Sequence, residues 1–159
     1  MKIKIIAVGN IKEDYLKKGI EMYLSRISGY SKIEIIEVNE SKLKDNPHNS
    51  EIEKVKNEEG QRILEKIKNG ECVINLDLDK TQYDSVEFAK FLESKFQEGG
   101  ANVTFVIGGS YGLSNDVKKR ANYSISLSKM TFLHQMTRLI LLEQIYRSFK
   151  ILNNETYHK

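Results

Sequence analysis

VTFVIGGSYGLS, residues Val103 to Ser114, changes character twice, and those two changes set the fold. Val103 to Ile107 is β-branched and aromatic, the composition of a buried strand. Gly108 and Gly109 end it, Gly112 follows, and Ser114 with Asp116 has the form of a capped helix start. A strand that breaks into glycines and feeds a helix brings bare backbone and a helix N-terminus to the carboxyl edge of a sheet. In α/β sheets that edge is where small molecules bind. A tight turn with no ligand would use the same residues, and this stretch alone leaves both readings open.

Working outward, strand and helix patterns alternate along the whole chain. Lys2 to Val8 is an isoleucine-rich strand ending at Gly9, and Tyr15, Leu16, Ile20, Tyr23, Leu24 and Ile27 recur at helical spacing. Gly29 stands where a helix cap belongs. Lys32 to Val38 reads as a second strand. Asn39 to Asn49 is polar, holds the only proline (Pro47), and reads as the one long loop. Ser50 and Glu53 form a capping-box pair. The helix they open carries Ile52, Val55, Ile63, Leu64 and Ile67 and runs to Gly70. Gly60 inside it points to close packing against another element. Cys72 to Leu78 reads as a third strand, with Asp77 and Asp79 at its carboxyl end. Asp84 and Glu87 start a helix closed by Gly99 and Gly100, and Asn102 to Ile107 is the strand before the glycine turn. A short helix from Ser114 to about Ala121, a strand from Tyr123 to Leu127 and a long helix from His134 to Leu152 complete the chain. This alternation predicts an α/β fold, a parallel sheet covered by helices on both faces. Residues 1–159 read as one domain, with no internal repeat or linker.

The bulk numbers agree. At 159 residues, with 40% hydrophobic and 30% charged, the composition is that of an ordinary globular domain. No apolar run approaches the roughly 18 residues a membrane span needs, and the first residues read as a strand rather than a leader. Cys72 is the only cysteine, so no internal disulfide can form, and a cytoplasmic location is the simplest expectation. Net charge is +3, but it is uneven. Residues 71–110 carry 3 basic and 7 acidic groups, and residues 111–159 carry 8 and 3. The positive excess lies in the third that follows the glycine turn, which fits an anionic substrate or, equally, a solvated basic helix.

The last helix is too apolar for one neighbour. Leu139, Leu141, Leu142, Ile145, Tyr146, Phe149 and Leu152 span nearly half its circumference, and Ile140 and Ile151 fall on the other side. A helix of this kind in a chain this short predicts a second subunit against it, a two-fold homodimer. Arg138 falls inside the apolar arc and must snorkel or meet an anion. Glu143 and Arg147, one turn apart, read as a surface ion pair.

The common site motifs are absent. The glycine turn lacks the lysine of a P-loop, and the dinucleotide fingerprint would put its glycines after the first strand. No Ser-His-Asp set is visible. His48, His134 and His158 lack metal-ligand spacing, so no catalytic metal is expected.

Three separated segments together are more specific. The turn IGGSYGLS (Ile107–Ser114), the segment LSKMTFLHQMTRLILLEQIYRSFKI (Leu127–Ile151) and the terminal Tyr157, His158 and Lys159 closely resemble the RlmH family of SPOUT-superfamily methyltransferases. The opening IKIIAVG, Glu59-Gly60 and CVINLDLD extend the resemblance over essentially the whole chain. It implies a C-terminal trefoil knot, which no periodicity could suggest. It also implies S-adenosylmethionine as cofactor, contacted by Leu76, Gly108, Gly109, Leu127, Ser128, Lys129, Met130, Thr131 and Phe132. The implied substrate is ring nitrogen 3 of a pseudouridine in large-subunit (23S) ribosomal RNA on the ribosome, and the implied assembly is a homodimer. Tyr157, His158 and Arg138 would then serve catalysis, and Lys159 with Arg138 would hold the RNA. Relatives often end in arginine where this chain has Lys159, which removes a bidentate phosphate contact there. Without the resemblance, the tail from Asn153 would read as a frayed terminus. A non-catalytic RNA- or nucleotide-binding module of the same architecture, and a flavodoxin-like phosphate binder, remain the other readings.

Overall fold

A computed structural model describes residues 1–159. Its ten elements are β1 (Lys2–Val8), α1 (Asp14–Ile27), β2 (Lys32–Val38), α2 (Asn49–Leu64), β3 (Val73–Thr81), α3 (Ser85–Glu98), β4 (Asn102–Ile107), α4 (Asn115–Arg120), β5 (Tyr123–Ile125) and α5 (His134–Leu152). The strands form one parallel sheet in the order β2-β1-β4-β3-β5. The expected α/β architecture is therefore the observed one. Five buried residues in a row along β4, Val103 to Ile107, show that both faces of the central strands are covered.

Side-chain alternation divides the interior in two. Ile3, Ile5, Ile74, Val103 and Phe105 face a core completed by α1, α3 and α5. Ile6, Val8, Val73 and Val106 face a smaller core closed by Ile63 of α2 and Val117 of α4. Shifting any central strand by one residue would exchange these two sets, so the register is firmly held.

Helix ends follow the sequence in part. Asp84 caps α3, its side chain accepting from Glu87 N while Glu87 reaches back to Asp84 N, both at 2.8 Å. Ser114 caps α4, accepting from Val117 N. Two expectations need correction. α2 begins at Asn49 with no side-chain cap, one residue before Ser50, and the Glu53 carboxylate pairs with Lys56 instead. α1 ends at Ser28 in a right-handed conformation, so Gly29 is not a left-handed cap.

β3 runs past the expected Leu78 to Thr81, with an irregularity between Leu76 and Thr81. Ser126 bridges that irregularity: its hydroxyl donates to the Asp77 carbonyl and accepts from Lys80 N, each at 2.7 Å. The bond to Ser126 also ends β5 at Ile125, two residues before the expected Leu127. Residues 126–133 then lead to α5 without regular structure, bending at Leu127 and at Lys129 and Met130.

Gly60 shows why α2 can lie so close to the glycine turn. A Cβ there would meet Ser114 Oγ at 2.2 Å and Ser114 Cβ at 2.9 Å. Gly60→Ala should therefore destabilise the protein by about 1–3 kcal/mol, the range for overpacking a tight contact. Combining it with Ser114→Gly should recover part of that loss in urea unfolding, because the clashing side chain is gone.

Candidate active site

The carboxyl ends of β3 and β4 open into a cavity of about 620 Å³. Its walls come from the end of β3, the turn after β4, the segment 127–133 and the first turn of α5. Nine of its twenty lining residues are hydrophobic, within the range for a small-molecule site with a few polar groups. Leu76, Gly108, Gly109, Leu127, Ser128, Met130, Thr131 and Phe132 all line it. Lys129 alone among the expected cofactor contacts does not. Met130 N donates to Ser128 Oγ across it at 3.0 Å.

Gly108 has no positive φ. Its Cβ would instead meet Leu113 Cδ2 at 2.9 Å and Gly112 C at 3.0 Å, because the turn folds back on itself. A side chain at Gly108 would reshape the turn as well as intrude on the cavity. The turn's left-handed residue is Gly112, at φ +88°.

Sequence reasoning left several lining residues unassigned. Lys118 of α4 stands 3.6 Å from Asp77. His134 and Thr137 come from the first turn of α5. Burial pushes the His134 imidazole below its ordinary value, with Arg138 adding to the effect and Glu40 opposing it, so it is neutral at pH 7. The signal for His134 was its position directly after the 127–132 segment.

The bare backbone at the turn, the apolar walls and one acid with lysines beside it fit a nucleoside carrying a charged tail. Leu78, Tyr111, Met130 and Leu133, four of the seven large hydrophobic residues left exposed, stand in the wall of this cavity. Met130 is 74% exposed. Such a patch marks a contact surface.

Arg138 takes a different place from the one expected. It is 2% exposed, donating from Nη1 to Glu37 Oε2 at 2.6 Å and from Nη2 to the Gly9 carbonyl at 2.7 Å. Its anion is a carboxylate of β2, and it does not line the cavity. It is a positioning residue, tying the ends of β1 and β2 to the start of α5.

The terminal residues fold back on α5. Tyr157 OH donates to Glu143 Oε1 at 3.2 Å, and its ring stands 5.0 Å from that of Tyr146. Arg147 grips the same Glu143 oxygen through Nε at 3.1 Å and Nη2 at 2.7 Å, and its Nη1 lies 3.2 Å from His158 Nδ1. The tail is therefore an ordered cluster, and the Glu143–Arg147 pair is its anchor rather than a plain surface pair. None of Tyr157, His158 and Lys159 lines the cavity of its own chain. Burial pushes the Tyr157 hydroxyl up to about 12, with Glu143 contributing, so it stays a donor. His158 must accept from Arg147, which has only donors, and this leaves the proton of a neutral ring on Nε2.

Beneath the glycine turn lies Glu59, 5% exposed, whose Oε2 accepts from Ser41 N at 3.0 Å. A Cβ on Gly109 would come within 2.9 Å of Glu59 Oε1. Burial raises this carboxyl above its ordinary value, against the Ser41 N–H, which lowers it. The folded state then binds the proton more tightly than the unfolded chain. Stability from this group declines as pH rises from the ordinary value of 4.5 through the raised one. Glu59→Gln should remove that decline. Urea titrations between pH 4 and 7 should show the variant gaining on the wild type as pH rises, and a pH-independent difference would refute it.

No group of three or more His, Cys, Asp or Glu could hold a metal, and no helix is long and apolar enough to cross a membrane. Comparison with known proteins shows the family. A family model described as predicted SPOUT methyltransferase matches residues 1–158. A ribosomal RNA large subunit methyltransferase H from Acetivibrio thermocellus is 51% identical over 159 residues, each chain covering all of the other. Ribosomal RNA large subunit methyltransferase H 1 from Clostridium perfringens strain SM101 is 49% identical, again over both full lengths. A structure described as a methyltransferase from Legionella pneumophila, in complex with the bound cofactor SAM, superposes with a TM-score of 0.50 at 10% identity. It matches 91% of this chain, which spans 65% of that protein's length, and the likeness is one of fold. With its parallel sheet, its carboxyl-edge cavity and a family match from end to end, this chain belongs to the SPOUT methyltransferase family.

Proposed function

We propose that this protein is an S-adenosylmethionine-dependent methyltransferase acting on large-subunit ribosomal RNA, with ring nitrogen 3 of a pseudouridine as its target. The observation that carries the reading is the cavity itself. The glycine turn and the 127–132 segment, separated in sequence by α4 and β5, wall one nucleoside-sized space in a chain of this family. A trefoil knot through the C-terminal third and a single domain over residues 1–159 belong to the same reading.

The cofactor, when bound, supplies an electrophilic methyl group, so the protein's task is positioning and charge control. Leu76, Leu127 and Phe132 offer apolar walls, and the turn from Gly108 to Gly112 offers backbone groups. The target nitrogen must lose its proton to react. Tyr157, held protonated, reaches the resulting anionic base with its one proton only by releasing Glu143, whereas the Nε2–H of a neutral His158 ring can donate to it without leaving Arg147. Arg147 and Lys159 add positive charge beside them. A general-base role for His158 would require it to leave Arg147.

The geometry also supports a homodimer. Met136, Ile140 and Ile151 lie on the outward face of α5, in line with Glu143 and Arg147. With the exposed Met130 and Leu133 at the cavity mouth, they give this face of the molecule apolar residues on either side of the Glu143–Arg147 pair. Two copies packed through this face about Ile140 would bring the tail cluster of one against the cavity of the other, since His134 and Arg147 lie similar distances either side of Ile140. The site would then be assembled from two chains.

Removal of residues 157–159 should lower the melting temperature modestly, through the lost contacts of Tyr157 with Glu143 and Tyr146, and leave a folded protein that still binds S-adenosylmethionine, while methylation of ribosomal RNA falls about 100-fold or more, the scale of losing a charge-stabilising group. Mass mapping of the RNA would read the product. A truncated protein methylating at the wild-type rate would refute the tail's role. Sedimentation should give twice the 18.4 kDa chain mass at micromolar concentration. A stable monomer would refute the shared site.

A further inference from the structure

We infer that Asp77 and Lys118 read the amino-acid end of the cofactor, the carboxylate taking its ammonium and the lysine its carboxylate. This rests on the cofactor reading above and goes beyond it by orienting the ligand in the cavity.

Asp77 is the only carboxylate among the cavity's lining residues, and Lys118 faces it from α4 across the space. Their Nζ to Oδ2 separation is 3.6 Å. Every other ion pair between separate elements closes to 2.6–2.9 Å, including Lys4–Glu71 and Arg138–Glu37. The two other open pairs, Lys54–Glu58 and Lys56–Glu53, lie along one helix surface. Asp77–Lys118 is thus the one tertiary pair that remains open, and it does so inside a binding cavity.

The Asp77 side chain is only 16% exposed. Its Oδ1 accepts from Leu78 N at 2.9 Å, while Oδ2 has Lys118 alone. A carboxylate so sheltered costs free energy unless it is well paired. The backbone does not drift here, because Ser126 holds the Asp77 carbonyl at 2.7 Å. The strain is left at one oxygen facing the cavity.

Of the cofactor's parts, adenine and ribose are neutral, and apolar walls with backbone groups suffice for them. The amino-acid end is a zwitterion, an ammonium and a carboxylate on one carbon. An acid and a base that stand slightly too far apart to satisfy each other match that pattern. The only other lysine in the wall, Lys56, has its partner Glu53 outside the cavity on its own helix, so it faces no acid within the space.

The test compares two ligands by calorimetry, S-adenosylhomocysteine and 5′-methylthioadenosine, which lacks the amino-acid end. The quantity read is the preference, the ratio of their dissociation constants. Asp77→Asn and Lys118→Met should each weaken S-adenosylhomocysteine by about 10- to 100-fold, the scale of one hydrogen bond to a charged group. Methylthioadenosine affinity should be retained, so the preference collapses toward one. Equal losses for both ligands, or an unchanged preference, would overturn the assignment. So would a loss seen with S-adenosylmethionine alone, which would move Asp77 to the sulfonium that S-adenosylhomocysteine lacks. Melting temperatures near the wild-type value would show that the variants fold. A wild-type protein binding neither ligand would instead sink the cofactor reading.

Discussion

A guanidinium buried to 2% exposure is the interaction on which this structure turns. Arg138 is almost wholly withdrawn from water, so its charge is met chiefly by Glu37 and the Gly9 carbonyl. Those partners lie on β2 and at the end of β1, while Arg138 lies in the second turn of α5. The clamp therefore fixes where the last helix begins relative to the sheet's carboxyl edge. Removing one partner would leave a buried charge alone, typically a loss of several kcal/mol. Everything downstream inherits its place from that clamp: His134 and Thr137 in the cavity wall, the outward face of α5, and the folded tail.

The same edge explains why function collects there. Strands buried on both faces are mostly apolar, and the polar side chains they carry inside, Lys4, Asn75 and Thr104, are engaged in internal hydrogen bonds, so polar groups are left for a ligand only where the strands stop. Along β3, Val73 and Ile74 are core residues, and Asp77 is the first acid the strand can carry into a cavity. Along β4, Ile107 gives way at once to Gly108 and Gly109. The segment after β5 carries Ser128 and Thr131 to the same place. Chemistry is confined to the loops because the sheet excludes it.

How much of this was legible follows from the range of the interactions involved. The bounds of β1, β2, β4 and α5 could be read from periodicity because burial pattern is a local property of the chain. Gly60 could be read as a close contact because no other reason places glycine mid-helix, although its partner Ser114 could not. The Ser50–Glu53 cap failed because Asn49 already continues the helix and draws its start one residue earlier. Arg138 was legible as a charge needing an anion, but its partner lies 101 residues away, beyond any local pattern. The segment 127–132 is legible as a whole from its resemblance, and only the fold distinguishes Ser128 and Met130, which line the cavity, from Lys129, which does not. Asp77 was visible at a strand end; Lys118 opposite it was one lysine in a basic helix.

α5 holds the cavity wall at one end and the anchor of the tail further along, so the helix acts as a ruler. The thirteen positions from His134 to Arg147 set about 20 Å of rise and a fixed rotation between them. Each added residue would advance the tail by about 1.5 Å and swing it by about 100° around the helix. The length of this one segment is consequently quantised: only changes near whole turns keep Glu143, Arg147 and the terminal aromatic on the same side. A substitution along the helix alters the contacts of one side chain, whereas an insertion or deletion displaces every contact beyond it.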